Sequence, residues 1–231
     1  VSTRVTSGKS NASLKQIIIQ SARLNGFVIF PAMAFIVTLA EPIFEVWVGH
    51  LINDPHEITM AANLVYALSL SAISMSIAEA WITIIYGAGY IQRIVPMILI
   101  GLGVFLVSTP IAIWLTPASW DYLVPAIICS AIVFLTMFLG IAIVIARILE
   151  ITTLEVVAPL ARTFISAIVM LPILFAFQAY IEQWSLRILI VAMLLYGGAF
   201  SIMSWFYVLT SDERSKILSF IRTNCSRQKA T

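Results

Sequence analysis

Long apolar runs separated by short polar or charged stretches organise this sequence from residue 24 to residue 209. A helix that crosses the roughly 30 Å hydrocarbon core of a bilayer needs about 20 mostly apolar residues. Six stretches meet that requirement: 24–48, 60–86, 93–115, 122–146, 159–181 and 186–209. Uncharged runs from Ile94 to Trp120, Tyr122 to Ala146, Thr163 to Ile181 and Ile188 to Ser211 lie in four of them. The first stretch is weaker, because Glu41-Pro42 and Glu45 interrupt its far end. Apolar and polar positions do not alternate within the runs, so helices are predicted rather than barrel strands. The expected fold is an all-α membrane protein with six transmembrane helices, bounded by a lead-in over 1–23 and a tail over 210–231.

The loops predict an orientation. Arg4, Lys9, Lys15 and Arg23 precede the first span, Arg93 follows the second, and Arg147 and Arg162 flank the turn between the fourth and fifth. Arg214, Lys216, Arg222, Arg227 and Lys229 follow the sixth, which leaves only Arg187 on the other side. Basic loops are retained in the cytoplasm, so both chain ends are expected inside. Trp47, Trp114, Trp120, Tyr122, Tyr180 and Trp184 gather at the predicted outer ends, where an interfacial aromatic belt belongs. Residues 11–22 place Leu14, Ile17 and Ile18 opposite polar positions. In the tail, Thr210 and Glu213 have capping-box spacing ahead of Ile217, Leu218 and Ile221. Both segments read as amphipathic helices on the inner membrane surface.

Composition agrees. Of 231 residues, 61% are hydrophobic and 10% charged, against about 45–50% and about 25% in soluble domains. Two cysteines, Cys129 and Cys225, give no disulfide framework, and His50 and His56 share one loop without further metal-ligand spacing. Residues 1–22 show no signal-peptide pattern, and the start at Val1 reads as a cut within a longer protein or as a processed end.

Candidate chemistry is sparse. An ionisable group in hydrocarbon is costly and marks a functional candidate; Glu79, in the second span about two turns before Gly87, is the clearest one. At about 100° per residue, Ser69, Ser76, Glu79 and Thr83 fall on one stripe, with Tyr66 and Tyr86 at its edges. Such a seam is expected to face a bundle interior or a watery cavity. Glu79 then either binds a neighbouring helix as a neutral acid or serves an ion, proton or substrate path. Glu41 and Glu45, one turn apart, either rim an outward vestibule or sit at a solvated helix end. Arg23, Arg93, Arg147 and Arg162 are positive-inside anchors or contacts for anionic head groups. Asn63 and Gln178 are expected to hold helices together, and Trp81 and Trp205 to pack. Pro31, Pro110 and Pro172 fall within spans and permit kinks. Gly101, Gly103, Gly197, Gly198 and Ser201 permit close helix contact. There is no phosphate-binding G-x-x-x-x-G-K-[ST] loop, no H-E-x-x-H and no intramembrane histidine to pair with a serine. No enzyme, cofactor, metal or nucleic-acid role is expected.

Several segments carry a family resemblance. Ser7-Gly8-Lys9-Ser10-Asn11-Ala12-Ser13-Leu14-Lys15, Ser21-Ala22-Arg23, Pro31 and Pro42-Ile43-Phe44-Glu45-Val46-Trp47-Val48-Gly49 occur in that order. Ile85-Tyr86-Gly87-Ala88-Gly89-Tyr90 and the closing Leu209-Thr210-Ser211-Asp212-Glu213-Arg214 follow. Together these resemble polysaccharide flippases, within the superfamily of multidrug and lipid-linked oligosaccharide exporters. The resemblance implies that the six spans are helices nine to fourteen of a fourteen-helix protein of the bacterial inner membrane. It implies alternating access, and an undecaprenyl-pyrophosphate-linked sugar repeat unit as cargo. It also implies membrane lipids and the preceding helices of the same protein as partners. The family's basic cavity residues lie on helices this chain does not contain, so no pyrophosphate site transfers to any residue here. Two other readings remain open: an ion-coupled exporter of small molecules or drugs, and a non-transporting scaffold of an envelope synthesis complex.

Overall fold

The computed structural model describes residues 11–52, 54–117, 123–208 and Arg214, and every regular element among them is helical. In chain order these are α1 (Asn11–Thr38), α2 (Ala40–Val48), α3 (Pro55–Gly87), a single 3₁₀ turn (Ile91–Arg93) and α4 (Val95–Leu115). Then come α5 (Leu123–Val133), a π-helical segment (Phe134–Gly140), α6 (Ile141–Leu149), α7 (Thr153–Val169), α8 (Leu171–Tyr180) and α9 (Leu186–Tyr207). They provide six stretches long and apolar enough to cross a membrane: Ser13–Thr38, Pro55–Gly87, Ile91–Leu115, Leu123–Leu149, Thr153–Tyr180 and Leu186–Tyr207. The chain is thus an all-α protein of multi-pass membrane type.

Local chemistry fixes the helix ends. The Asp54 side chain accepts from the His56 N–H, and Pro55 occupies the first turn of α3, where no backbone donor is needed. Thr152 and Glu155 form a reciprocal capping box at the start of α7, and the Ser185 hydroxyl accepts from Ile188 N–H at the start of α9. Beyond α3 the chain reverses through Gly89 at φ 83°, and after α6 through Glu150 at φ 56°. The first is a glycine position; the second asks a side-chain-bearing residue to adopt the left-handed conformation.

Two spans are broken, each by a proline. Pro42 has no N–H for the carbonyl four residues back and its ring crowds that carbonyl, so the first span breaks at Leu39 (φ −108°, ψ 27°). Pro172 follows the break at Met170 between α7 and α8. Pro31 and Pro110 lie within α1 and α4 without interrupting them. The π-helical segment in the fourth span has no proline.

Hydrogen bonds between spans set their neighbours and directions. Lys15 Nζ meets Glu155 Oε2 at 2.6 Å, joining the starts of α1 and α7. Gln178 Nε2 donates to Thr38 O at 2.6 Å near their far ends, so the first and fifth spans run parallel. Asn25 Nδ2 donates to Ser76 O at 2.6 Å, between antiparallel α1 and α3. The Ser130 hydroxyl donates to Ala67 O, joining α5 to α3. The larger buried cluster, with Ile18, Trp81, Ile85, Ile141, Ile145 and Val156, lies towards the end that carries Lys15, Arg93 and Arg147, here termed the basic end. A smaller cluster around Leu39, Leu174, Ala192 and Tyr196 lies towards the opposite end. Span three flanks the bundle, and Gly101 is the one buried residue of α4.

Three expectations change. Residues 11–22 do not form a separate surface helix: they are the first turns of α1, and Leu14, Ile18 and Ala22 are buried in the bundle. Close approach holds at Gly101, where an added Cβ would stand 2.7 Å from Thr136 Cγ2, but nothing lies within 4 Å of one at Gly103, Gly197 or Gly198. Gly26 and Gly140 take that role instead, against Thr163 and Met97. Ser201 is exposed. The tail over 215–231, the capping-box residues Thr210 and Glu213, Arg4, Lys9, Trp120 and Tyr122 lie outside the described residues.

Candidate functional site

Helix α3 carries the candidate polar seam. Its inward face, with Ala62, Ser74, Ile77, Ala78, Trp81, Ile84 and Ile85, is buried against the other spans. The opposite face is open: Leu68, Ala72, Met75, Glu79, Thr83 and Tyr86, spaced by three and four residues, are all exposed. That spacing makes a single ridge along the helix. Glu79 sits in its middle, and its carboxylate has no hydrogen-bond or ion-pair partner among the described residues. The open ridge with Glu79 and Thr83 therefore faces away from the six-span bundle and not into its interior, one of the two placements expected, the other being a watery cavity. Sequence periodicity assigns residues to one face but does not say which face the neighbours cover.

The hydroxyls of the seam are occupied locally. Thr83 Oγ1 donates to Glu79 O at 2.8 Å and Ser69 Oγ to Tyr66 O at 2.8 Å, each on its own helix. Ser76 is half-buried, and its carbonyl accepts from Asn25. Ser69 is half-buried and turns towards the edge of the helix that faces α1, where it lines two small cavities. Glu79 and Thr83 therefore share the open ridge, whereas Ser69 and Ser76 sit at its flank.

At the end opposite the basic one, Glu41 and Glu45 are exposed on α2 and line an open groove of about 510 Å³ with Gly49, Ile52, Pro55, Ile58 and Thr59. Exposed carboxylates beside an open groove are compatible with both readings, a rim and a solvated helix end. Trp47, Trp114 and Tyr180, 69%, 83% and 87% exposed, stand at the same end, as an interfacial belt requires. Arg93 at the basic end is exposed and lies over the Tyr90 ring, 5.5 Å from its centroid. Arg23 is half-buried on α1. The structure does not gather Glu79, the Glu41–Glu45 pair and the two arginines at one site: the glutamate pair and Arg93 lie towards opposite ends of the bundle, while the Asn25–Ser76 bond places Arg23 at about the level of Glu79.

Other intramembrane side chains secure the helices. Gln178 does so as expected, filling the Thr38 carbonyl that Pro42 leaves open. For Asn63 no side-chain hydrogen bond is found among the described residues, and Asn25 does that work instead. The Tyr196 hydroxyl donates to Ala167 O at 3.3 Å, in the last turn before the break at Met170. Trp81 is fully buried and stacks on Phe138 at 5.8 Å, which in turn stacks on Phe134 at 5.4 Å. The two phenylalanines belong to the π-helical segment, a feature associated with functional sites that no breaker residue announces in the sequence.

Among the described residues no three histidine, cysteine, aspartate or glutamate side chains come close enough to hold a metal ion. No protein-family model, no curated protein and no solved structure matches this chain.

Proposed function

We propose that this chain is the six-span, carboxy-terminal portion of a bacterial inner-membrane flippase, with both ends cytoplasmic. Its cargo is a lipid-linked oligosaccharide repeat unit for surface polysaccharide assembly, carried by alternating access. The observation that carries the reading is Glu79, a carboxylate without a partner among the described residues, two turns inside a span and on a ridge the other five spans leave open. Hydrocarbon disfavours a carboxylate, by about 2.5–3.5 kcal/mol at a helix centre on insertion scales. The open ridge of α3 therefore faces water or protein rather than lipid, which suits the wall of a transport path between two lobes. The proline breaks at Leu39 and Met170 give two spans the discontinuity that transport helices use.

The test is leaflet exchange of the lipid-linked oligosaccharide in proteoliposomes holding the full-length protein. Glu79→Gln is expected to slow exchange by about tenfold, equivalent to about 1.4 kcal/mol, while Glu79→Asp retains most of it. Unchanged rates in Glu79→Gln remove the carboxylate from the mechanism. Equal exchange with and without the wild-type protein leaves only a non-transporting scaffold.

The acidic groove of Glu41 and Glu45 favours a second reading, an ion-coupled exporter of small cationic molecules. Uptake of a lipophilic cation into the same vesicles, lost in the Glu41→Gln/Glu45→Gln double variant, distinguishes it.

A further inference from the structure

Between α1, α3, the π-helical segment and α7 lies a cavity of about 400 Å³ whose walls include Phe30, Ile73, Phe134, Phe138, Ala161 and Phe164. Ser74 is the only lining residue with a polar side chain, and its hydroxyl donates to Leu70 O at 2.6 Å on its own helix. An ordered water needs two to four polar partners, and this lining offers at most the lone pairs of one hydroxyl. Left empty, a space of this size deprives its lining of dispersion contacts. Hydrocarbon is the remaining occupant, and a protein that spans a bilayer is surrounded by it.

The position of the cavity indicates the side from which a chain enters. Its wall begins at Leu154, 75% exposed and next to the Thr152–Glu155 cap of α7 at the basic end. Towards the opposite end, Phe30 and Phe164 meet edge to face with centroids 5.3 Å apart. Those two rings and Ile73 also line a second space of about 230 Å³, which continues to Thr38 and Leu171. From Leu154 to Leu171 the helices advance about 25 Å at 1.5 Å per residue, so the aromatic pair stands part-way along a furrow that crosses most of the hydrocarbon core of about 30 Å.

We propose that the larger cavity is an intramembrane lipid site. It holds one acyl chain of a phospholipid from the leaflet at the basic end, and the Phe30–Phe164 pair stops the chain's methyl end. The inference requires only that the chain spans a bilayer and stands apart from any transport reading.

The experiment reconstitutes the full-length protein in nanodiscs of phosphatidylglycerol bearing a photoreactive diazirine near the acyl terminus, and maps adducts by peptide mass spectrometry. Adducts are expected on the half-buried Ile73 and Phe138, alongside those on the exposed residues Phe164 and Leu194. Ala161→Phe fills the cavity and lowers the interior adducts by about tenfold, the fold-change of a 1.4 kcal/mol loss of affinity, while Leu194 labelling persists. Phe164→Ala removes the stop and extends labelling to Met33 and Leu171. Interior labelling equal in wild type and Ala161→Phe would overturn the proposal, since the lipid would then be merely annular. Absence of interior labelling in the wild type, as when a protein helix or a polyprenyl chain fills the furrow, overturns it as well. Restriction to Ile73 and Phe138 in Phe164→Ala removes the aromatic stop.

Discussion

Gly101 and Gly140 decide how closely the third and fourth spans approach. Within a membrane, apolar burial gives little drive for helix association, so contact rests on van der Waals fit and on small residues that admit it. An added Cβ at Gly101 would stand 2.7 Å from Thr136 Cγ2 and 2.9 Å from its Oγ1. Thr136 cannot readily yield, because it is β-branched and its hydroxyl donates to Ile132 O at 2.7 Å. Gly101→Ala is therefore expected to destabilise the protein by about 1–3 kcal/mol. Gly103→Ala and Gly198→Ala have open space around the new methyl and gain helix propensity, so they should be neutral or stabilising by up to about 1 kcal/mol. Thermal unfolding of the three variants in one detergent measures the difference, and equal midpoints would refute the close contact. Composition alone shows these glycines as a group. Which of them touches a neighbour depends on helix rotation, which depends on every other contact in the bundle.

The broken spans show how one element stabilises a defect in another. Pro42 leaves the Thr38 carbonyl without its normal donor, and the Gln178 amide supplies one from α8, 2.6 Å away. Tyr196 of α9 donates to Ala167 O beside the second break, one residue before the Ile168 carbonyl that Pro172 leaves without its usual donor. The sixth span is thus tied to the fifth, and the fifth to the first, each at a discontinuity. Gln178→Leu is expected to lose about 1 kcal/mol, in the upper range for interhelical hydrogen bonds in membranes. Pro42→Ala restores the backbone donor, so in that background the same substitution should lose less, with a coupling of about 0.5 kcal/mol or more. A strictly additive double-mutant cycle, read by unfolding, would remove the link between the proline and the glutamine. The prolines and the glutamine are visible in the sequence as residues, and Gln178 was legible as a helix-binding group. Its partner was not, because the pair spans 140 positions and no local rule connects them. The π-helical segment was illegible for a related reason: Phe134–Gly140 contains no breaker, and its stack on Trp81 joins positions far apart in the chain.

At the scale of the whole molecule, the number of spans was readable, because length and hydropathy alone set it. All six expected stretches correspond to observed helices, although the first span begins at Ser13 rather than at residue 24. The openness of the Glu79 ridge was not readable, because periodicity groups residues on a face without naming what covers it. Charge predicts an orientation: cytoplasmic retention of Lys and Arg acts on loops, and of the basic residues only Arg187 is expected on the opposite side, although Arg23 and Arg162 stand well inside the observed first and fifth spans. That asymmetry gives a prediction independent of any transport activity. In a background carrying Cys129→Ser and Cys225→Ser, single cysteines replace exposed residues near the two ends of the bundle: His56 and Gln183 at one, Gln92 and Glu150 at the other. A membrane-impermeant maleimide added to intact spheroplasts should label the variants at 56 and 183, and reach 92 and 150 only after permeabilisation. Labelling in the reverse order would invert the protein. Glu41 and Glu45 would then face the cytoplasm, and the Arg93 and Arg147 turns the outside. The acyl-chain site proposed between α1, α3 and α7 would survive in the other leaflet, because it depends on the lining of the cavity and not on the sign of the loops.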